Sequence, residues 1–267
     1  MENLPTGQAG KTGKPAFAAG RYFKYAIGEI VLVVIGILIA LSINNWNQSQ
    51  KEKNIETQYL KNIVRDLNEQ LNSIEVQMEY EQSFYKAASY IIEDYNENHT
   101  FTLDSTFYKR ATVLANRKTF VITDPTYTDL ISSGNIHIIK NQANKDKILE
   151  YYQELERIEK IIQNNNSLLI DQNYILTFLK NGYYYENLFE YYGEDLLKFP
   201  GHVVVPNYDT DLENISKNLI LKDENKLELM NAITFRHSIA MGHYIDLINA
   251  KSDTQLLIKE LNRNTND

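Results

Sequence analysis

The stretch YFKYAIGEIVLVVIGILIALSINNW, Tyr22–Trp46, divides the chain into a short basic arm before it and an acidic, helix-patterned body after it. Its uninterrupted apolar run, Ile30–Leu41, is twelve residues long, a length that also suits a buried helix or a signal-peptide core. The flanks settle the reading. Phe23–Ile43 is 21 residues, which at about 1.5 Å per residue covers a hydrocarbon layer of roughly 30 Å. Tyr22, Phe23 and Tyr25 stand at one end and Trp46 at the other, as aromatic belts do at the two interfaces. Asn44 and Asn45 then mark the return to water. Residues 22–46 therefore read as one N-terminal transmembrane helix. The rival is a cleavable signal peptide with Ala40-Leu41-Ser42 as an A-x-A-like site. Against cleavage, the apolar run continues straight up to that site.

Two charges, Lys24 and Glu29, lie inside the span near its N-terminal end, where side chains reach the headgroups. Glu29 either snorkels or makes a contact between helices. Gly36 and Ala40 form a small-xxx-small pair, with Gly28 two turns earlier. Gly28, Glu29, Gly36 and Ala40 are thus candidate residues for self-association of the anchor.

The segment from Gly20-Arg21-Tyr22-Phe23 through Ala26-Ile27-Gly28-Glu29-Ile30 to Ile43-Asn44-Asn45-Trp46-Asn47 resembles the opening signature of a family of single-pass proteins of Gram-negative bacteria. That family is catalogued only as a domain of unknown function. Asp124–Ile136, Ile139-Lys140-Asn141 and Tyr151-Tyr152 are similar to its second shared stretch, and the likeness thins after about residue 180. The resemblance implies an anchored helical domain and brings no catalytic residues.

The 267 residues carry 27 Lys and Arg against 35 Asp and Glu, and no cysteine. Cys-based zinc sites and disulfide frameworks are excluded outright. Residues 47–267 hold 23 Lys and Arg (27 less Lys11, Lys14, Arg21 and Lys24) and 33 Asp and Glu (35 less Glu2 and Glu29), a net charge of −10. An acidic body argues against nucleic-acid binding and against lying on an anionic leaflet. Positive charge is nearly balanced across the span, leaning towards the arm inside and the body translocated, which gives an inner-membrane protein with a periplasmic body. Residues 1–21 read as a disordered basic arm. Gly10-Lys11-Thr12 resembles a P-loop end but lacks the earlier glycine, since that position holds Pro5.

In the body, Leu60, Leu67, Ile74, Ala88 and Tyr95 recur every seven residues with Glu81 as the one break, and Val64, Leu71, Met78, Tyr85 and Ile92 form a partner series. Such interleaving predicts a coiled-coil-like helix over 54–95, continuous with the anchor because no Gly or Pro intervenes. A helix is expected over 103–117. Another starts at Asp124-Pro125 and ends at Gly134, and Asn141 caps the one after it. The helix over 144–181 shows Ile148, Leu155, Ile162, Leu169 and Leu176 in one series and Tyr151, Ile158 and Leu179 in a second, with Asn165 and Gln172 as polar members. A final helix, 223–259, places Leu227, Met230, Ile233, His237, Met241, Tyr244 and Ile248 on one face. Residues 47–261 thus form one soluble helical domain, with 262–267 a disordered tail. The expected fold is all-α, one transmembrane helix followed by a bundle of long antiparallel helices.

No catalytic constellation emerges. The five histidines lack metal-ligand spacing, glycine-rich phosphate loops are missing, and the carboxylates are scattered over helix faces. No cofactor or metal is expected, and no enzymatic activity. Tyr183, Tyr184, Tyr185, Tyr191 and Tyr192 crowd one irregular segment, either as a lid on the core or as the lining of a ligand pocket. Function then reads as a membrane-anchored interaction or scaffold domain. Its expected partners are the lipid bilayer and either a second copy or another envelope protein. The alternative is an extracytoplasmic ligand-sensing domain that acts through a partner protein.

Overall fold

The computed structural model describes residues 17–185, 192–204 and 209–266, with side chains from 23 to 263. The basic arm up to residue 16, Tyr191, Val205 and Asp267 lie outside the described residues, whereas 262–266 of the expected tail are helical backbone. The chain divides into two compact units, residues 1–55 and 56–267. Helix α1 spans Phe17–Asn98, so helical backbone runs unbroken from the apolar stretch into the body, as the absence of Gly and Pro between them leads one to expect. Within the first unit no side chain from Phe23 to Gln50 is buried.

The second unit is a helical bundle. After α1 come α2 (Ser105–Ala115), α3 (Pro125–Ser132), a 3₁₀ turn (Asn135–Ile138) and α4 (Gln142–Asn164). A π-helical segment, Asn165–Ile175, leads into α5 (Leu176–Asn181). A second 3₁₀ turn (Gly193–Lys198), α6 (Thr210–Ile220) and α7 (Asp223–Asn266) complete it. Local chemistry explains the boundaries. Asp104 caps α2 by accepting the Phe107 amide, and Asn141 caps α4 by accepting that of Asn144. Pro125 opens α3, but the Asp124 side chain takes the Thr128 hydroxyl instead of a backbone amide. Gly134 follows the end of α3 with φ +71°, the left-handed position a glycine occupies without a Cβ penalty.

Three long helices build the frame. Ion pairs and hydrogen bonds join Lys147 to Glu260, Tyr151 to Thr254 and Asn165 to His243, so α4 and α7 run antiparallel. Lys251–Glu75, His243–Glu81 and His237–Ser89 make α7 antiparallel to α1 as well. Helices α1 and α4 therefore point the same way, and the chain must travel back between them. It does so along α1, whose polar side chains catch the returning backbone. Gln70 accepts the Thr123 amide, Asp66 that of Thr126, and Glu56 that of Lys140. The Thr126 bond is buried and the Thr123 bond partly so, which pairs amides that would otherwise be cut off from water, while the Lys140 bond is exposed.

Two apolar clusters fill the unit. One gathers Leu60–Ile74 of α1, Ile148–Ile162 of α4 and Leu247–Leu261 of α7. The other gathers Phe84–Ile91, α2, Tyr174, Phe178 and Leu229–Ala240. In α1 the expected series is buried at Leu60, Leu67, Ile74 and Ala88, Glu81 included, and half-buried at Tyr95. Its companion stripe differs from expectation. The fully buried partners are Ile63, Gln70, Gln77, Phe84 and Ile91, three residues after each member of the first series instead of four, while Tyr85 is exposed. Helix α7 likewise buries Leu229, Ile233, Arg236, Ala240, His243 and Leu247 and leaves Leu227, Met241 and Ile248 exposed. Both differences have one cause: polar residues sit in the seam, so a count of apolar positions places it a step away.

Candidate functional site

Between the two apolar clusters lies a buried polar layer. Glu81 is supplied by α1, Arg236 and His243 by α7, and Asn165 by the start of the π segment; Glu81, Arg236 and His243 are at most 2% exposed. Glu81 Oε1 accepts from Gln77 Nε2 at 2.9 Å and from His243 Nδ1 at 3.2 Å. On the far side of the imidazole, Asn165 Nδ2 donates to His243 Nε2 at 2.9 Å. This pairing places the proton on Nδ1 and leaves Nε2 as acceptor. Arg236 packs over the Phe84 ring at 4.1 Å, and its Nε and one terminal nitrogen donate to the Leu114 and Asn116 carbonyls at 3.3 Å. Its other terminal nitrogen stands 3.9 Å from Glu81 Oε2. Burial pushes the guanidinium down to about 10, against the opposing pull of Glu81, so it stays charged at neutral pH.

The layer extends to the returning loop, where Asn166 Nδ2 and Gln77 Nε2 both donate to the Lys118 carbonyl. Among the described residues, Glu81 Oε2, Gln77 Oε1 and one Arg236 nitrogen find no hydrogen-bond partner. A buried ion pair with incomplete bonding contributes little net stability but is costly to break from one side, so such groups set register and partner choice. Buried as its charged members are, the layer can orient the helices that carry them. In the sequence its visible signals are Glu81, the break in one apolar series, and Asn165, a polar member of another. Gln70 and Gln77 are also seven apart, a spacing that finds the stripe once polar residues are counted as seam members.

The residues singled out from the sequence fall in separate places. Gly28, Glu29, Gly36 and Ala40 all lie on the exposed part of α1, with open space around both glycines. At 100° per residue Glu29, Gly36 and Ala40 share a face about 40° wide, whereas Gly28 lies some 80° from Gly36. Among the tyrosines, Tyr183 packs against the second apolar cluster, its ring 6.1 Å from Tyr108 and 6.2 Å from Tyr185, and its hydroxyl accepts the Asp209 amide. Tyr184 is 41% exposed, and Tyr191 lies outside the described residues. Tyr192 belongs elsewhere: with Leu196, Phe199, His202 and Val204 it lines a cavity of about 530 Å³. One tyrosine segment thus splits into a lid part and a pocket part. Val203 and Val204 have irregular backbone.

A second groove of about 370 Å³ runs between α4 and α7, lined by Leu155, Ala250 and Leu257 together with Glu150 and Asp253.

Comparison with curated proteins and with solved structures finds no match to either. A family model does match, over residues 29–176, from Glu29 in the apolar stretch to the first residue of α5. It covers the first resembling stretch only from Glu29 onward, takes in all of the second, and ends close to where that likeness thins. Since the match covers more than half of the chain, this protein belongs to DUF6090, a family of unknown function.

Proposed function

We propose that this protein is a single-pass membrane anchor carrying a non-catalytic helical interaction domain. Its arm is cytoplasmic and its body periplasmic, at the inner membrane of a Gram-negative bacterium. One observation carries the reading: the apolar part of α1 has a mean hydropathy of 2.8 in its best window, and none of that window is buried. Twelve Val, Leu and Ile side chains between Ile27 and Ile43 face outward with no protein over them. Leaving them in water would cost on the order of 20 kcal/mol, which a bilayer removes. Lipid is the first partner. Extraction of native membranes with alkaline carbonate should leave the intact chain in the pellet; its release, or a mature N-terminus near Ile43, would overturn the anchor.

The second partner is another copy of the chain or another envelope protein, met through helical faces. Glu29, Gly36 and Ala40 supply one such face in the span. Sedimentation of the full-length chain in detergent across a concentration series checks the self-association arm, and a strict monomer at every concentration would remove it.

The cavity beside Tyr192 favours a second reading, in which the body senses a small ligand and passes the signal to a partner. Reproducible thermal stabilisation in a small-molecule screen, abolished by Tyr192→Ala, would support sensing over scaffolding.

A further inference from the structure

We propose that residues 165–181 form a register switch, able to pack against the bundle in two alternative helical registers. Two faces of this segment are suited to the core. In the structure Ile170, Tyr174, Thr177 and Phe178 are buried, while Leu176 and Leu179 are 61% and 54% exposed. Yet Leu176 continues the spacing of Ile148, Leu155 and Ile162, and Leu179 continues that of Tyr151 and Ile158. The backbone between them explains the exchange. Eleven residues, Asn165–Ile175, are π-helical. Bonds from i to i+5 give about 4.4 residues per turn against 3.6 in an α-helix, so rewinding the whole segment turns α5 by roughly 200°. Leu176 and Leu179 would then face the core where Thr177 and Phe178 face it now. π-Helix is rare and appears mostly as single-turn bulges, frequently at functional sites, so a run of eleven residues stands out.

The π register is held by specific bonds along its length. At its start Asn165 bonds His243 and Asn166 bonds the Lys118 carbonyl. Further on, Asp171 pairs with Arg117, the Tyr174 hydroxyl donates to the Ala111 carbonyl, and Thr177 donates to Glu228. At its end Gly182 closes the helix, its amide donating to the Phe178 carbonyl at 2.6 Å. A Cβ on Gly182 would overlap the Phe178 ring, although its φ of −91° suits any residue. The glycine therefore admits the inward Phe178, the mark of the π register. Because Asn165 belongs to the buried polar layer, rewinding would also pull on His243 and Glu81. Discrete alternative packings of one element are how packed interiors store two states.

The chain has no cysteine, so a single introduced thiol reports its own exposure. Leu176→Cys, Thr177→Cys and Ala232→Cys would be made one at a time in the full-length protein in lipid nanodiscs and reacted with a hydrophilic maleimide. Ala232, 3% exposed in the same cluster, reports opening of the bundle as a whole. Switching predicts that the Thr177→Cys variant reacts at least tenfold faster than the Ala232→Cys variant. Adding Gly182→Ala should raise the rate at position 177 at least threefold further, lower that at position 176 by a similar factor and leave position 232 unchanged. Reactivity at 177 no faster than at 232 overturns the proposal. So does a Gly182→Ala effect that raises all three sites together, since that is melting. Should Gly182→Ala fold poorly, Leu176→Asn with Leu179→Asn supplies the opposite push on exposed positions. That pair should slow labelling at position 177 at least threefold, and an unchanged rate overturns the switch.

Discussion

Helices α1 and α4 lie in the same bundle, run in the same direction, and both meet polar residues at the level between the two apolar clusters. They answer differently. Helix α1 keeps its α-helical backbone straight through Glu81 and satisfies that residue with side chains, from Gln77 within the helix and from His243 across the bundle. At the same level α4 gives way: beyond Asn164 the backbone turns π-helical, and the buried set moves from Ile162 to Ile170, Tyr174 and Phe178. A polar intrusion into a helical seam can be absorbed by partners or by backbone, and this bundle uses both solutions against each other. The difference also divides the labour, since the α1 side is fixed by charge and the α4 side is left adjustable.

The sharpest way to break this contrast is to remove the charge on the fixed side. Arg236→Ala leaves Glu81 buried without its countercharge and should cost about 3–5 kcal/mol of unfolding free energy by urea titration. A loss under about 1 kcal/mol would mean the layer does not pin the helices. Next, Ile162→Ala and Leu176→Ala occupy equivalent points of the sequence repeat on opposite sides of the π segment. The first should cost about 2–4 kcal/mol and the second under about 0.5 kcal/mol. Equal costs would restore an uninterrupted seam.

Alkaline unfolding compares the two halves more gently. Burial raises Tyr151 and Tyr152 of α4, and Tyr174 of the π segment, well above the usual phenol range. Stability held by these groups is complete below about pH 10. It is lost as pH climbs, because the unfolded chain releases protons that the folded one retains, at about 1.4 kcal/mol per pH unit for each tyrosine. Tyr174→Phe should flatten that slope by one such increment. Smallest is the pair of helix starts. Asp104→Ala removes a bond to a backbone amide and should cost about 1 kcal/mol. Asp124→Ala removes a bond to a side-chain hydroxyl, with an expected cost of about 0.3 kcal/mol. Both are read from thermal midpoints.

How much of this was visible in the residues follows from what each signal measures. Local chemistry was legible: Pro125, Gly134 and Asn141 sit at the helix ends their side chains or backbone favour, and Ile148, Leu155 and Ile162 face the core at the expected spacing. The all-α fold and the long apolar helix were legible for the same reason, since length and periodicity are properties of the chain alone. What could not be read was long-range. Gln77 and Arg236 look like solvated residues until a partner from another helix is placed against them. The π segment is invisible to a count of apolar residues, because Leu176 and Leu179 complete the repeat as well as any buried pair would. Nor does spacing show that Tyr183 and Tyr192, nine residues apart, serve different surroundings.

Helix α7 closes both apolar clusters, the upper with Leu229–Ala240 and the lower with Leu247–Leu261. During translation, every helix that α7 covers is made before it. Until the 44 residues of α7 follow, both hydrophobic troughs stay open on the growing polypeptide, and transiently exposed apolar surface of this kind is what makes partly made chains prone to association.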